Sequence, residues 1–373
     1  MRIDREYNEL QIKRLKRLYD RGNKYFYVDL HIHTNYSADG TQTFEQAYAE
    51  AIKQGMDIVA LTDHDSIAVY GNIGEEYGCA KSGPIIIPGI EFTVSVPNYN
   101  GRCHILKYFI DENDEGFSKN LNKIQDAYNT RIDLWFERIK ENRCLQHYAR
   151  EYNIDFCKED YLKFLETLPL NIPEYSTLMN YLFFLMDKHH ISVWDVYNRV
   201  NADNEEDTCL ERREKKRKLL KKFYNKYQNS DIERNYRKLR PILAPVGVDD
   251  SLYKEYPSKG NLSVIEYGQV CINELANCGF NIWAHPDMQD SNSVDRISKY
   301  VCGYELNYRS TDDDNKCVES LARRRRIAIT KGSDTHNLQD GLYENKDFYR
   351  LSREDLKKFI LLAERAMEQK YGI

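Results

Sequence analysis

Tyr27-Val28-Asp29-Leu30-His31-Ile32-His33-Thr34 is the stretch on which the fold assignment turns. Val28, Leu30 and Ile32 alternate with Asp29, His31 and His33, which is the period of a strand, so the three polar side chains point the same way. Two imidazoles at i and i+2, at the end of a buried strand, can reach one metal ion. Alone, the pair reads equally well as packing, because single histidines are often satisfied interior groups. The deciding question is whether other strands end in the same way.

Short segments rich in Val, Ile, Tyr and Phe mark the strands: Phe26–His31, Asp57–Leu61, Ile85–Ile90, Cys103–Phe109, Asn281–Trp283, Tyr304–Asn307 and Ile327–Thr330. Helical periodicity precedes most of them. Thr43–Gln54 places Phe44, Ala47, Ala51 and Ile52 near the helical period before Gly55. Leu262–Cys278 repeats the pattern, with Ser263 as N-cap, Glu266 as its capping-box partner and Gly279 as the stop. This alternation predicts a parallel α/β sheet or barrel. It breaks between residues 112 and 240, where Leu121–Lys140 and Leu210–Tyr227 read as helices; Leu356–Tyr371 reads as a closing helix. The expected organisation is a helical segment over 1–24, a first barrel half over 25–111, a helical insertion over 112–240 and a second half over 241–373.

No apolar run approaches the ~20 residues a membrane span needs, and the charged N-terminus has no signal-peptide core, so a cytoplasmic, membrane-free protein is expected. Nine scattered cysteines without a CxxC pair argue against a disulfide framework or a zinc ribbon. The net charge of -5 hides an asymmetry: residues 211–240 carry thirteen Lys/Arg against four acids, so the rest of the chain sums to -14. The core of that run, Arg212 to Lys222, reads as a solvated helix face or as a surface for a nucleic-acid backbone. No P-loop or dinucleotide fingerprint is present, which argues against nucleoside triphosphate or NAD chemistry.

The other strands do end alike. Thr62-Asp63-His64-Asp65 follows the second, Gly89-Ile90-Glu91 closes the third, Ala284-His285-Pro286-Asp287 the fifth, and Gly332-Ser333-Asp334-Thr335-His336 the last. Asp39 sits in the loop after the first strand. His104 breaks the pattern by standing near the start of the fourth. Six of the nine histidines fall in this set, and the other three, His147, His189 and His190, lie in the insertion. In α/β barrels, working residues gather where strands end and loops begin. Imidazoles and carboxylates without thiolates suit Zn²⁺, Mn²⁺ or Fe²⁺. Nine ligands are too many for one ion. Two or three divalent ions sharing a hydroxide would generate a nucleophile at neutral pH and clamp phosphoryl oxygens.

Taken together, the motifs DLHIHT, YSADG, ALTDHD, PGIEF, CHIL, AHPD and GSDTH resemble the PHP (polymerase and histidinol phosphatase) family, in that family's order, from Tyr27 to His336. The resemblance implies a distorted seven-stranded (β/α) barrel with a trinuclear site. It implies His31, His33, Glu91 and Asp334 around a first ion, Glu91, His104 and His285 around a second, and Asp39, His64 and His336 around a third. Asp29, Asp63 and Asp65 would orient imidazoles from behind. One departure is Ala38, inserted where many members read Ser-Asp-Gly. The stretch Gly260–Glu266 is similar to a TrpH-like phosphoesterase branch, whose members remove phosphate from nucleoside bisphosphates or trim short RNA ends.

The function so implied is metal-dependent hydrolysis of a phosphate ester on a nucleotide or oligonucleotide end. Two alternatives stay open: an exonuclease on single strands, and a partner-dependent PHP subunit of a defence or repair complex whose insertion docks a protein. Arg102 and Lys331 are the best-placed phosphate contacts. Asp65 is a candidate proton donor to the leaving oxygen. Arg323–Arg326 reads as a helix end, where cations are favoured, or as a further phosphate contact.

Overall fold

The computed structural model describes residues 1–169 except 81, 98–101 and 142, single positions between 177 and 189, and 270–372 except 276–277, 287–290 and 339–342. The predicted basic run and the helices expected over Leu210–Tyr227 and over the start of Leu262–Cys278 lie outside these residues.

All seven predicted strands form. They are β1 (Tyr25–Ile32), β2 (Ile58–Leu61), β3 (Ile85–Ser95), β4 (Arg102–Tyr108), β6 (Phe280–Trp283), β7 (Gly303–Asn307) and β8 (Ala328–Gly332). Two short ones join them, β5 (Val270–Cys271) and β9 (Arg350–Ser352). The sheet runs β8-β7-β6-β4-β3-β2-β1-β9, with β5 beside β3. Past β8, the sheet curls back onto β1: Asp334 N–H donates to His31 O at 2.9 Å and His33 N–H to Thr335 O at 3.0 Å. The result is a nearly closed α/β barrel of the expected class.

Two features differ from the reading of the sequence. First, β4 runs antiparallel to both neighbours, β3 and β6. Second, residues 270–274 are a strand and a 3₁₀ turn instead of the end of a helix. Val270 pairs with Val94 because β3 extends to Ser95, five residues beyond the predicted end, and offers a free edge there.

Local chemistry accounts for the helices that carry the barrel. In α1 (Arg5–Asp20) the Asp4 side chain caps the Tyr7 N–H, and Ile12, Leu15 and Leu18 are buried at helical spacing. In α2 (Phe44–Lys53), Thr43 and Gln46 form a reciprocal capping box, while Ile52 is 50% exposed and lies off the buried face. Short helices α3 (Ala68–Asn72) and α4 (Glu75–Cys79) lead into β3. The closing helix, α10 (Arg353–Tyr371), is capped by Ser352 and buries Leu356, Phe359, Ile360 and Ala363 against α1 and the strands. Phe26, Val28 and Leu30 of β1 join Ile58, Ala60, Ile85, Ile87, Leu106 and Tyr108 in the same apolar cluster. Burying one such side chain contributes roughly 1.5–3 kcal/mol, so this layer, not the site, carries the fold.

The chain divides into two compact units, the barrel (Met1–Ala127, Pro169–Ile172 and Gly268–Ile373) and a second unit (Tyr128–Leu168 and Pro173–Tyr267), with the boundary inside α5 (Glu115–Glu141). In the second, α6 (Arg143–Tyr152) and α7 (Lys158–Glu166) follow, and Phe136, Tyr161 and Tyr181 pack ring against ring. In the barrel, α8 (Ser291–Ile297) and α9 (Asp312–Arg325) complete the βα alternation. No helix among the described residues is long and apolar enough to cross a membrane.

Candidate metal centre

One carboxylate organises the site. Glu91, fully buried within β3, has its Oε2 within 3.2 Å of His31 Nε2, 3.1 Å of His33 Nε2 and 3.0 Å of His64 Nδ1. Its Oε1 lies 3.0 Å from His104 Nδ1 and 3.2 Å from His285 Nε2. Asp334 Oδ1 is 3.5 Å from His31 Nε2 and 3.3 Å from His33 Nε2, and Asp39 Oδ2 is 3.1 Å from His336 Nε2. All nine residues singled out as ligands therefore converge on one end of the barrel.

Within this cluster three sets have donor atoms close enough to share an ion: His31, His33, Glu91 and Asp334; His64, Glu91 and His104; and His33, His64 and His336. The first coincides with the set the resemblance implied. For the second, His104 Nδ1, His285 Nε2 and Glu91 Oε1 lie within 3.3 Å of one another, so His285 shares that place. Asp39 stands farther from His64, at 4.0 Å, than from His336.

The residues present fit divalent ions. Glu91 Oε2 is buried and makes no well-aligned hydrogen bond among the described residues, although three imidazole nitrogens face it. His31 and His33 point their Nε2 atoms at each other across 3.0 Å. Lone pairs crowded together in this way, with no solvent to separate them, are costly unless a cation or protons take them up. The electrostatics carry the same signature. Burial opposes charge on His31, but the carboxylates of Glu305, Glu91 and Asp334 outweigh it and hold its pKa well above the usual value. Burial likewise opposes the charge on Glu91, yet His31, His104 and His64 keep its carboxyl well below the usual range. Asp334 and Asp39 are held low by their facing histidines against the same opposing burial. His104 is pushed down, first by burial.

The acids expected behind the imidazoles act less directly. Asp63 accepts from Thr34 N and Oγ1 at 2.7 Å each and from Ser37 Oγ at 2.8 Å; Ser37 Oγ in turn meets His33 Nδ1 at 2.9 Å. Asp63 thus orients His33 through a serine. Among the described residues, Asp29 touches no imidazole. It accepts from Ser333 N at 2.9 Å, which ties β8 to β1, and burial pushes its carboxyl up to about 6. Asp65 is 1% exposed, and its Oδ1 accepts Thr93 N–H at 2.9 Å, bracing β3. Lys331 Nζ donates to Phe348 O at 2.6 Å and sits over that ring, away from the cluster. The Arg102 side chain lies outside the described positions. Arg323 pairs with Asp355 and Arg325 with Asp295, as at an ordinary helix end.

Two residues escaped the sequence reading. Glu305, 1% exposed in β7, brings Oε1 to 2.8 Å from His31 Nδ1 and accepts His285 N–H on Oε2 at 2.8 Å. The available signal was a carboxylate inside the apolar strand Gly303–Asn307, expensive to bury without a partner. Arg309, just beyond β7 and exposed, lines a cavity of about 530 Å³ with Asp39, His336 and Asn337. Nothing in the local sequence separates it from other loop arginines.

A phosphoribosyl 1,2-cyclic phosphate 1,2-diphosphodiesterase of Eggerthella lenta is 32% identical over 87 residues, which are 22% of this chain and 31% of that protein. The chain thus spans about a third of the length of that relative. A solved structure from Bifidobacterium adolescentis, provisionally assigned as a metal-dependent phosphoesterase, superposes with a TM-score of 0.53 at 18% identity, covering 90% of this chain and 96% of the other. That likeness establishes the fold. Residues 29–168 match the PHP domain family, and they hold six of the nine clustered residues, so over that stretch the chain is similar to PHP domains.

Proposed function

We propose that the chain is a metal-dependent phosphoesterase acting on a phosphate ester of a nucleotide or an oligonucleotide end. The observation that carries this reading is the convergence of six imidazoles and two further carboxylates around the buried Glu91. His31, His33, Glu91 and Asp334 would hold one ion, Glu91, His104 and His285 a second, and Asp39, His64 and His336 a third. Bound divalent ions would supply Lewis acidity and neutralise charge developing on phosphoryl oxygens.

The chain's own groups would do the rest. The cavity beside Asp39, His336 and Asn337 would receive the phosphoryl group, and the Arg309 guanidinium would bond two of its oxygens in a fork. His33, braced through Ser37 and Asp63, would keep a fixed orientation as substrate enters. The ester bond would be cleaved by water, giving an alcohol and a phosphate. The activity named for the Eggerthella lenta relative, on a phosphoribosyl cyclic phosphate, supports a ribose-phosphate substrate.

The test is phosphate release by the purified protein with added Mn²⁺ from nucleoside 3′,5′-bisphosphates, nucleoside monophosphates, a ribose cyclic phosphate and short end-labelled RNA and DNA. An Asp334→Asn variant runs in parallel; its side chain tolerates the φ of +53° at that position. Turnover that falls at least about 100-fold in the variant is expected. Full turnover in the variant overturns the site, and no turnover on any substrate by a metal-loaded protein overturns the phosphoester reading.

A further inference from the structure

Glu305 stands behind two candidate ion sites at once. Its Oε1 meets Nδ1 of His31, at 2.8 Å, while its Oε2 accepts the backbone N–H of His285 at 2.8 Å and the Asn307 Nδ2 amide at 3.2 Å. His31 belongs to the set with His33 and Asp334, and His285 to the set with His104. One carboxylate therefore reaches a ligand of each.

We propose that Glu305 is a positioning residue that sets the geometry of both sites together, by being a pure acceptor on both oxygens. This rests on the metal-centre reading above. A carboxylate can only accept, so His31 Nδ1 must carry the proton and its Nε2 is left to face Glu91 and Asp334. On the other side, His285 has a φ of +30°, a backbone conformation that L residues rarely adopt. The bond from its N–H to Glu305 pins that conformation and with it the direction of the ring. Asn307 cannot reverse its amide to help, because its Oδ1 already accepts the Arg309 N–H at 2.9 Å.

The space is equally committed. A Cβ on Gly332 would lie 2.2 Å from Glu305 Oε1 and 2.3 Å from His31 Cβ, so only glycine lets the carboxylate reach the ring. A glutamine fills the same volume but fails chemically in either orientation. With its oxygen toward His31, its NH₂ faces two donors, His285 N–H and Asn307 Nδ2. With its NH₂ toward His31, the imidazole proton is driven to Nε2, the atom that must face an ion.

The experiment compares full-length wild type with Glu305→Gln, each stripped by chelator and re-titrated with Mn²⁺, with bound ions counted by elemental analysis after dialysis. The expected result is a loss of about 10–100-fold in affinity for two of the ions. The metal-free melting transition stays cooperative, and the ¹⁵N spectrum shows the His31 ring proton moved off Nδ1. Equal ion number and affinity in the two proteins overturn the proposal while leaving the metal-centre reading intact. Failure of the wild type itself to bind ions overturns that reading, and this proposal with it. Should Glu305→Gln not fold, Asn307→Ala keeps the His31 bond and removes one donor from Oε2; a several-fold loss for a single ion is expected there, and unchanged binding overturns the coupling.

Discussion

His104 Nδ1 lies 3.3 Å from His285 Nε2, although the strands that carry them run in opposite directions. Antiparallel pairing of Ile105 with Trp283 brings the start of β4 and the end of β6 to the same rim, and Ala284 N–H bonds His104 O at 3.0 Å. A histidine at the beginning of a strand thereby joins others that stand at strand ends.

Gly332→Ala is expected to damage the metal centre without replacing a ligand. The added methyl would collide with Glu305 Oε1 and His31 Cβ. Affinity for Mn²⁺ should fall by about 10–100-fold, as when support behind a ligand is lost. Wild-type affinity, measured by titration, would contradict the close packing of β8 on β1.

Arg309→Ala is expected to separate substrate binding from metal binding. Arg309 borders the cavity next to Asp39 and His336 but is not a ligand. Losing a charge-assisted contact worth about 1.5–3 kcal/mol should lower kcat/KM by about 10–100-fold while bound metal stays constant. If kcat/KM holds, the phosphoryl group is bound elsewhere.

Stability should depend on pH with opposite outcomes in chelator and in Mn²⁺. Against opposing burial, the carboxylates of Glu305, Glu91 and Asp334 raise the His31 pKa well above 6.5 in the folded state. For a group raised on folding, the stabilisation is complete below the unfolded value and is lost as pH rises through the folded one. Burial raises Asp29 from 3.8 to about 6, which removes stability in the same direction over that lower interval. In chelator, Tm should therefore decline from pH 6.5 upward. With Mn²⁺ it should hold or rise, because the ion takes the place of the proton. Parallel profiles in the two conditions would rule out ion binding at His31.

Tyr70→Phe should weaken the fold while sparing the site. Tyr70 OH donates to Leu61 O at 2.7 Å and accepts Gly89 N–H at 2.8 Å, fully buried between β2 and β3. Leaving these groups unpaired costs about 1–3 kcal/mol. The urea midpoint should drop at constant m-value, and an unchanged midpoint would show that the hydroxyl is dispensable.

Much of the site was legible because its signals are local. A strand sets alternation over two residues, so His31 and His33 announce a shared direction, and histidines gathered after apolar segments announce a rim. The direction of β4 was legible too, though alternation with helices obscured it. Only six residues separate Ser95 from Arg102, and a parallel crossover needs about a dozen or more.

The sequence by itself determined the seven strands, the helix over Thr43–Gln54, the closing helix and the nine residues of the cluster, since each follows from periodicity or residue type within a few positions. Only the tertiary structure decided that Glu91 stands at the centre, that Asp63 reaches His33 through Ser37, that Lys331 turns to Phe348, and that Glu305 and Arg309 belong at the site. The reason is physical. A buried carboxylate takes its role from the partners that offset its desolvation, and those partners, His31 for Glu305 above all, lie up to 274 residues away in the chain.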